Sequence, residues 1–177
     1  MTSNAFSTHV KVVIGESVIA SSAATLSILA FEIPVWAMFV GWISFFTRGL
    51  NLRQGIINLA CVLIGVVLGI GAAHAMAALT PYLGSYAMSA VVFAITIIAL
   101  SLAKAPVVNN LPAVFLGLVA YFALHQPPSL GTFGMLTLAT ALGTTAAFLA
   151  HSLQHHIKHS AAHSLAGEPK WTTAKTK

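Results

Sequence analysis

The chain has 177 residues, 58% of them hydrophobic and only 6% charged, with a mean hydropathy of +0.90. A soluble domain carries roughly 25% charged residues, so eight Lys/Arg and three Asp/Glu cannot cover an aqueous surface, and the composition is that of an integral membrane protein. The net charge of +5 is then a topology signal and not a nucleic-acid footprint, and the single cysteine, Cys61, excludes a disulfide framework within the chain and a cysteine-based metal site.

Apolar runs and the breakers between them predict an all-α polytopic membrane protein with six transmembrane helices. The first run, 12–32, carries Glu16 where the core of a signal peptide would be apolar, so it reads as a retained span. Glu32 and Pro34 separate it from the second, 34–47. Arg48, Gly49 and Arg53 precede the third, 55–79, and Pro81 with Gly84 turns the chain into the fourth, 83–103. Lys104 and Pro106 precede the fifth, 111–124; HQPPSLG leads into the sixth, 130–152; and a His/Lys-rich tail occupies 153–177.

The charges orient these spans. With both termini in the cytoplasm, the inside segments are 1–11, 48–54, 104–110 and 153–177. They hold Lys11, Arg48, Arg53, Lys104, Lys158, Lys170, Lys175 and Lys177, which is every basic residue in the chain. The positive-inside rule is satisfied throughout.

Spans two and five are short, fourteen residues each, or about 21 Å against a hydrocarbon core of about 30 Å. They also echo one another. AMFVGWISFF (37–46) and AVFLGLVAYF (113–122) share Ala37/Ala113, Phe39/Phe115, Gly41/Gly117 and Phe46/Phe122. Downstream, GIINLACVLI (55–64) and GMLTLATALG (134–143) share Gly55/Gly134, Leu59/Leu138, Ala60/Ala139 and Leu63/Leu142. Two three-span copies must enter the membrane in opposite senses, and an inverted repeat with short, proline-bounded helices at matching positions points to a transport path. The expected pore or substrate residues are Gly41, Gly117, Phe39, Phe115, Ser44, Thr47, Asn58, Asn109 and Asn110. Asn109 and Asn110 have a second reading as caps for the helix that starts at Leu111-Pro112.

The succession VWAMFVGWISFF, a basic glycine-containing turn, NLPAVFLGLVAYFA and a basic tail resembles the YcdZ-like family of small bacterial inner-membrane proteins, over roughly residues 12–155. The resemblance implies a bacterial inner-membrane address and a helical polytopic fold. That family is one of unknown function, so no activity or site residue comes with it.

Histidines give a second theme. His151, His155, His159 and His163 recur every four residues beside His156, a stripe on a helix continuing from span six. Imidazoles so spaced can hold a divalent metal; otherwise the segment is an interfacial extension attracted to anionic lipid. Glu16 and His74 lie near span ends, where an ion pair with Lys11 and a snorkelling ring are expected. Gly65-Val-Val-Leu-Gly69 is a small-xxx-small surface for packing within the protomer or between copies.

No nucleophile–base set, phosphate loop or carboxylate pair occurs, so the sequence points away from an enzyme. It predicts a channel or facilitator for a small polar solute, oligomeric in the bilayer and without a resident cofactor. The other candidate is a membrane sensor whose His-rich tail engages a metal or a partner.

Overall fold

A computed structural model describes residues 3–166, with side chains from residue 6 to residue 161. The described residues form helices and no strand: α1 (Ser3–Leu29), α2 (Val35–Phe46), α3 (Leu52–Leu83), α4 (Ala87–Ser101), α5 (Leu111–Leu124) and α6 (Leu130–Ala166). Short 3₁₀ turns, Gly84–Tyr86 and Leu102–Lys104, flank α4.

Most breakers act as expected, but Pro81 lies inside the end of α3, which runs on to Leu83. Pro34, with φ −58° and ψ 127°, holds extended backbone immediately before α2. Asn51 caps α3, its side chain accepting from the Gln54 amide at 2.9 Å. Gly84 ends α3 at φ 52°, a conformation that favours a residue without Cβ. Pro112 sits in the first turn of α5, whose bounds coincide with the predicted run.

As the histidine stripe on a continuing helix requires, α6 runs past 153 as far as Ala166, since HSLQHHIKHSAAHSLA contains neither Gly nor Pro to stop it; residues 167–177 lie outside the described residues. One expectation changes. Helix length and composition give three stretches able to cross a membrane, Phe6–Leu29, Leu52–Lys104 and Leu130–Ala161, where the apolar runs predict six. The difference arises because α2 and α5 are short, and because α3, α4 and their turns form one nearly continuous helical stretch. That stretch folds back: α4 packs on α3, and Ala99 is buried in the same cluster as Cys61 and Val62.

The main packing partners are α3 with α5, α2 with α6, α1 with α6 and α3 with α4. Three apolar clusters fill the interior. One gathers Ile33, Ala37, Val66, Ala120, Tyr121 and Leu136; another Cys61, Val62, Ala99, Ala113 and Val114; the third Ala23, Met38 and Ala146. Many large apolar side chains are exposed, among them Phe6, Leu29, Met88, Phe93 and Leu149, as suits a surface in contact with lipid.

Glycine lets the paired helices touch backbone to backbone. A Cβ on Gly41 would lie 2.6 Å from the Thr140 carbonyl carbon, and one on Gly143 would lie 2.8 Å from that of Met38, so α2 and α6 cross with no side chain between them. At the crossing of α5 and α3, Gly117 meets the Val62 carbonyl carbon at 2.7 Å and Gly65 meets that of Val114 at 2.9 Å on the same construction. Real Cβ contacts are not that short, and the gain is close van der Waals and Cα–H···O contact.

Candidate functional site

Ser44, Asn58 and Asn110, three of the buried polar residues, converge with Thr47 where the end of α2, the first turns of α3 and the start of α5 meet. The segment between α2 and α3 is tight. The Thr47 amide donates to Ser44 O at 3.2 Å, and Gly49 reverses the chain at φ 65°. This turn aims the carbonyls of Phe45 and Arg48 at α3, where Asn58 is fully buried. Asn58 Nδ2 donates to Arg48 O at 3.0 Å and to Phe45 O at 3.4 Å. Its Oδ1 accepts from Asn110 Nδ2 at 2.7 Å, and Asn110 also donates to Thr47 Oγ1 at 2.6 Å. Thr47 Oγ1 in turn donates to Ser44 O at 2.6 Å, and Ser44 Oγ to Gly41 O at 2.8 Å.

Outside this buried row lies the half-buried Arg48. Its Nε and Nη2 both reach Gln54 Oε1 at 3.3 Å, Nη2 also reaches Val107 O at 3.3 Å, and Nη1 donates to Asn109 Oδ1. The guanidinium fork therefore ties the segment before α5 to the start of α3 without a carboxylate partner. The buried row consists of amides and hydroxyls bonded to one another and to backbone carbonyls, while the Arg48 guanidinium bonds beside it to Gln54, Val107 and Asn109. The chemistry of the row is hydrogen bonding, not proton relay.

The structure thus brings together Ser44, Thr47, Asn58, Asn109 and Asn110 from the expected set. Asn110 occupies the cap position of α5 but makes no side-chain cap bond; its Nδ2 donates to Asn58 and Thr47. Gly41 and Gly117 face the backbones of α6 and α3, not each other, so the space opposite each is filled. Phe39 is exposed and packs edge-on against Trp42 at 6.4 Å, and Phe115 borders the Cys61–Val114 cluster. Gly65 and Gly69 both face α5, giving the small-residue surface a partner within the protomer.

Sequence reasoning missed Arg48 and Gln54 as members of the network, and Gly143 as the reciprocal of Gly41. The signal for Gly143 is the run Ala139-xxx-Gly143-xxx-Ala147, every small residue of which is buried.

The histidine stripe divides. His151 is half-buried against Phe45, ring centres 6.1 Å apart, and its Nδ1 has no hydrogen-bond partner. His155 and His159 stack at 6.2 Å. Among the described residues no three His, Cys, Asp or Glu side chains converge as metal ligands; the side chain of His163 lies outside the described residues. His74 is exposed on α3, while Glu16 is half-buried on α1 and about 140° round the helix from Lys11.

No curated protein and no solved structure matches the chain. A family profile does, over residues 13–152, from the beginning of the apolar part of α1 to the middle of α6. The chain belongs to the family described as "Protein of unknown function (DUF1097)".

Proposed function

We propose that the protein is a channel or facilitator for a small polar solute, made of two three-helix halves that enter the membrane in opposite senses. Its resemblance to the YcdZ-like proteins implies the bacterial inner membrane, and its basic residues imply cytoplasmic termini.

The helix crossings support the two-half reading. Met38 and Gly41 on α2 meet Gly143 and Thr140 on α6. Their counterparts 76 positions on, Val114 and Gly117, meet Gly65 and Val62 on α3, which precede the α6 residues by 78. Ala23 and Ala99, also 76 apart, are buried beside Met38 and Val114 respectively. The fold-back at Gly84 supports two crossings within the long stretch 52–104.

The observation that carries the solute reading is the buried row Ser44–Thr47–Asn58–Asn110. Under the same correspondence, Ser44 and Asn58 match Ala120 and Leu136, which lie in an apolar cluster with Ile33. The serine and the amide of one half are therefore replaced by apolar side chains at the matching places in the other. Buried amides are costly unless paired, and a solute that exchanges hydrogen bonds with Asn58 and Asn110 could pass where water-like partners replace them. The path runs past these side chains, while Gly41 and Gly117 set helix spacing. Exposed apolar faces are left for lipid or for a second copy of the chain.

Proteoliposomes loaded with a panel of small neutral and anionic solutes test this by stopped-flow shrinkage. Flux above protein-free vesicles for at least one solute, altered by Asn110→Ala, is expected. No flux for any solute would refute it. The alternative, a sensor whose extended α6 engages a partner or metal, is favoured by the stacked His155/His159 pair. Truncation after residue 152 separates the two, since a facilitator keeps its flux and a sensor loses its partner.

A further inference from the structure

A second polar site lies between α1 and α6. A cavity of about 330 Å³ there is lined by Thr8, Lys11, His156, Ile157, Ser160 and Ala161. That size is at the lower end for small-ligand sites. Thr8 and Lys11 are three apart on α1, and His156 and Ser160 four apart on α6, so each pair shares one helix face. The cavity is closed on its apolar side by the contact of α1 with α6, where a Cβ on Gly15 would lie 2.7 Å from Leu153 Cδ2.

The position of this site is specific. Lys11 immediately precedes the apolar run 12–32, and His156 lies just beyond the run 130–152, so the cavity opens at the level where a membrane-embedded bundle meets lipid headgroups. Its chemistry is that of an anion site. It combines an ammonium with an imidazole that carries an N–H donor in either neutral tautomer. Lys158 and His159 share these helical turns but do not line the cavity, and the only acid in 6–16 or 152–161 is Glu16, about 7.5 Å further along the α1 axis than Lys11.

We propose that this cavity binds a phosphate group at the membrane boundary, carried by an anionic lipid or free in solution. The inference is independent of the transport reading. Lys11 supplies the charge, His156 donates to the phosphate oxygens, and Ile157 and Ala161 pack against the glycerol end of a lipid. Bound there, a lipid would bridge the first and last helices, as diffuse attraction to a basic surface would not.

The full chain in detergent is titrated with short-chain phosphatidylglycerol, short-chain phosphatidylcholine and inorganic phosphate, and binding is read by native mass spectrometry and calorimetry. Phosphatidylglycerol should bind more tightly than phosphatidylcholine, and Lys11→Gln or His156→Ala should weaken it about tenfold. Lys158→Gln, which removes the same charge beside the cavity, should change it less than about twofold. Phosphatidylglycerol binding without phosphate binding assigns the lipid as the source; inorganic phosphate binding with the same variant pattern assigns the free anion. Equal losses in all three variants would reduce the site to diffuse charge and overturn the proposal. So would the absence of both phosphatidylglycerol preference and phosphate binding. All three substituted side chains are exposed, so folding is not at stake.

Discussion

Replacing Gly41 with alanine adds one methyl group at a helix crossing that has no space for it. The new carbon would lie 2.6 Å from the Thr140 carbonyl carbon, in contact with backbone and not with a side chain that can swing aside. Carbon atoms pack at about 3.5–4.0 Å, so α2 and α6 must separate locally by about 1 Å. The separation also lengthens the bond from Thr144 Oγ1 to Gly41 O, now 3.2 Å. Overpacking of this kind costs about 1–3 kcal/mol. Gly134→Ala on α6 is the matched control: nothing lies within 4 Å of its Cβ position, and alanine gains about 0.5–1 kcal/mol of helix propensity over glycine. Thermal or denaturant unfolding in detergent should therefore move the two variants in opposite directions. Gly117→Ala, which meets the Val62 carbonyl carbon at 2.7 Å, should lose as much as Gly41→Ala. If Gly41→Ala unfolds like Gly134→Ala, the backbone contact is not real. If Gly41→Ala and Gly117→Ala differ by several kcal/mol, the correspondence between the halves fails.

Asn58→Ala removes the partner of Asn110 Nδ2 and of two carbonyls, and each buried group left unpaired costs about 1–3 kcal/mol. A double-mutant cycle with Asn110→Ala should give a coupling of at least about 0.5 kcal/mol, whereas a cycle of Asn58→Ala with Phe39→Ala should give none. Arg48→Lys keeps the charge but loses the fork that reaches Gln54, Val107 and Asn109. Hydrogen exchange should then rise across 105–109 while α5 stays protected, and unchanged exchange would show that the guanidinium holds nothing in place.

Some of this was legible in the sequence and some was not, for separable reasons. Helix existence follows from local features: an apolar run bounded by Pro34, Gly84 or Pro112 needs no tertiary knowledge. The continuation of α6 beyond 153 is legible too, because the composition changes there while helix propensity does not. Gly41 and Gly117 stand out in the sequence echo, but a single chain does not say which helix a glycine faces. The echo aligns α3 with α6 at a shift of 79, as in Gly55/Gly134, whereas the crossings pair Gly65 with Gly143 at 78; apolar sequences are too alike to fix register to one residue. The amide network was half legible. Asn109 and Asn110 are conspicuous beside apolar residues, but their partners lie 52–63 positions away, and local reasoning offers only the cap that Asn110 does not make.

The claim on which the rest depends is that six helices cross the membrane, with α2 and α5 entering in opposite senses. Single cysteines at Ser85, Ser129 and Leu50, in a background where the buried Cys61 is replaced by alanine, test it with an impermeant thiol reagent on intact cells. Residues 85 and 129 should label from outside, and residue 50 only after the membrane is permeabilised. Labelling of residues 50 and 85 from the same side would leave α3 on one face of the bilayer and contradict the account.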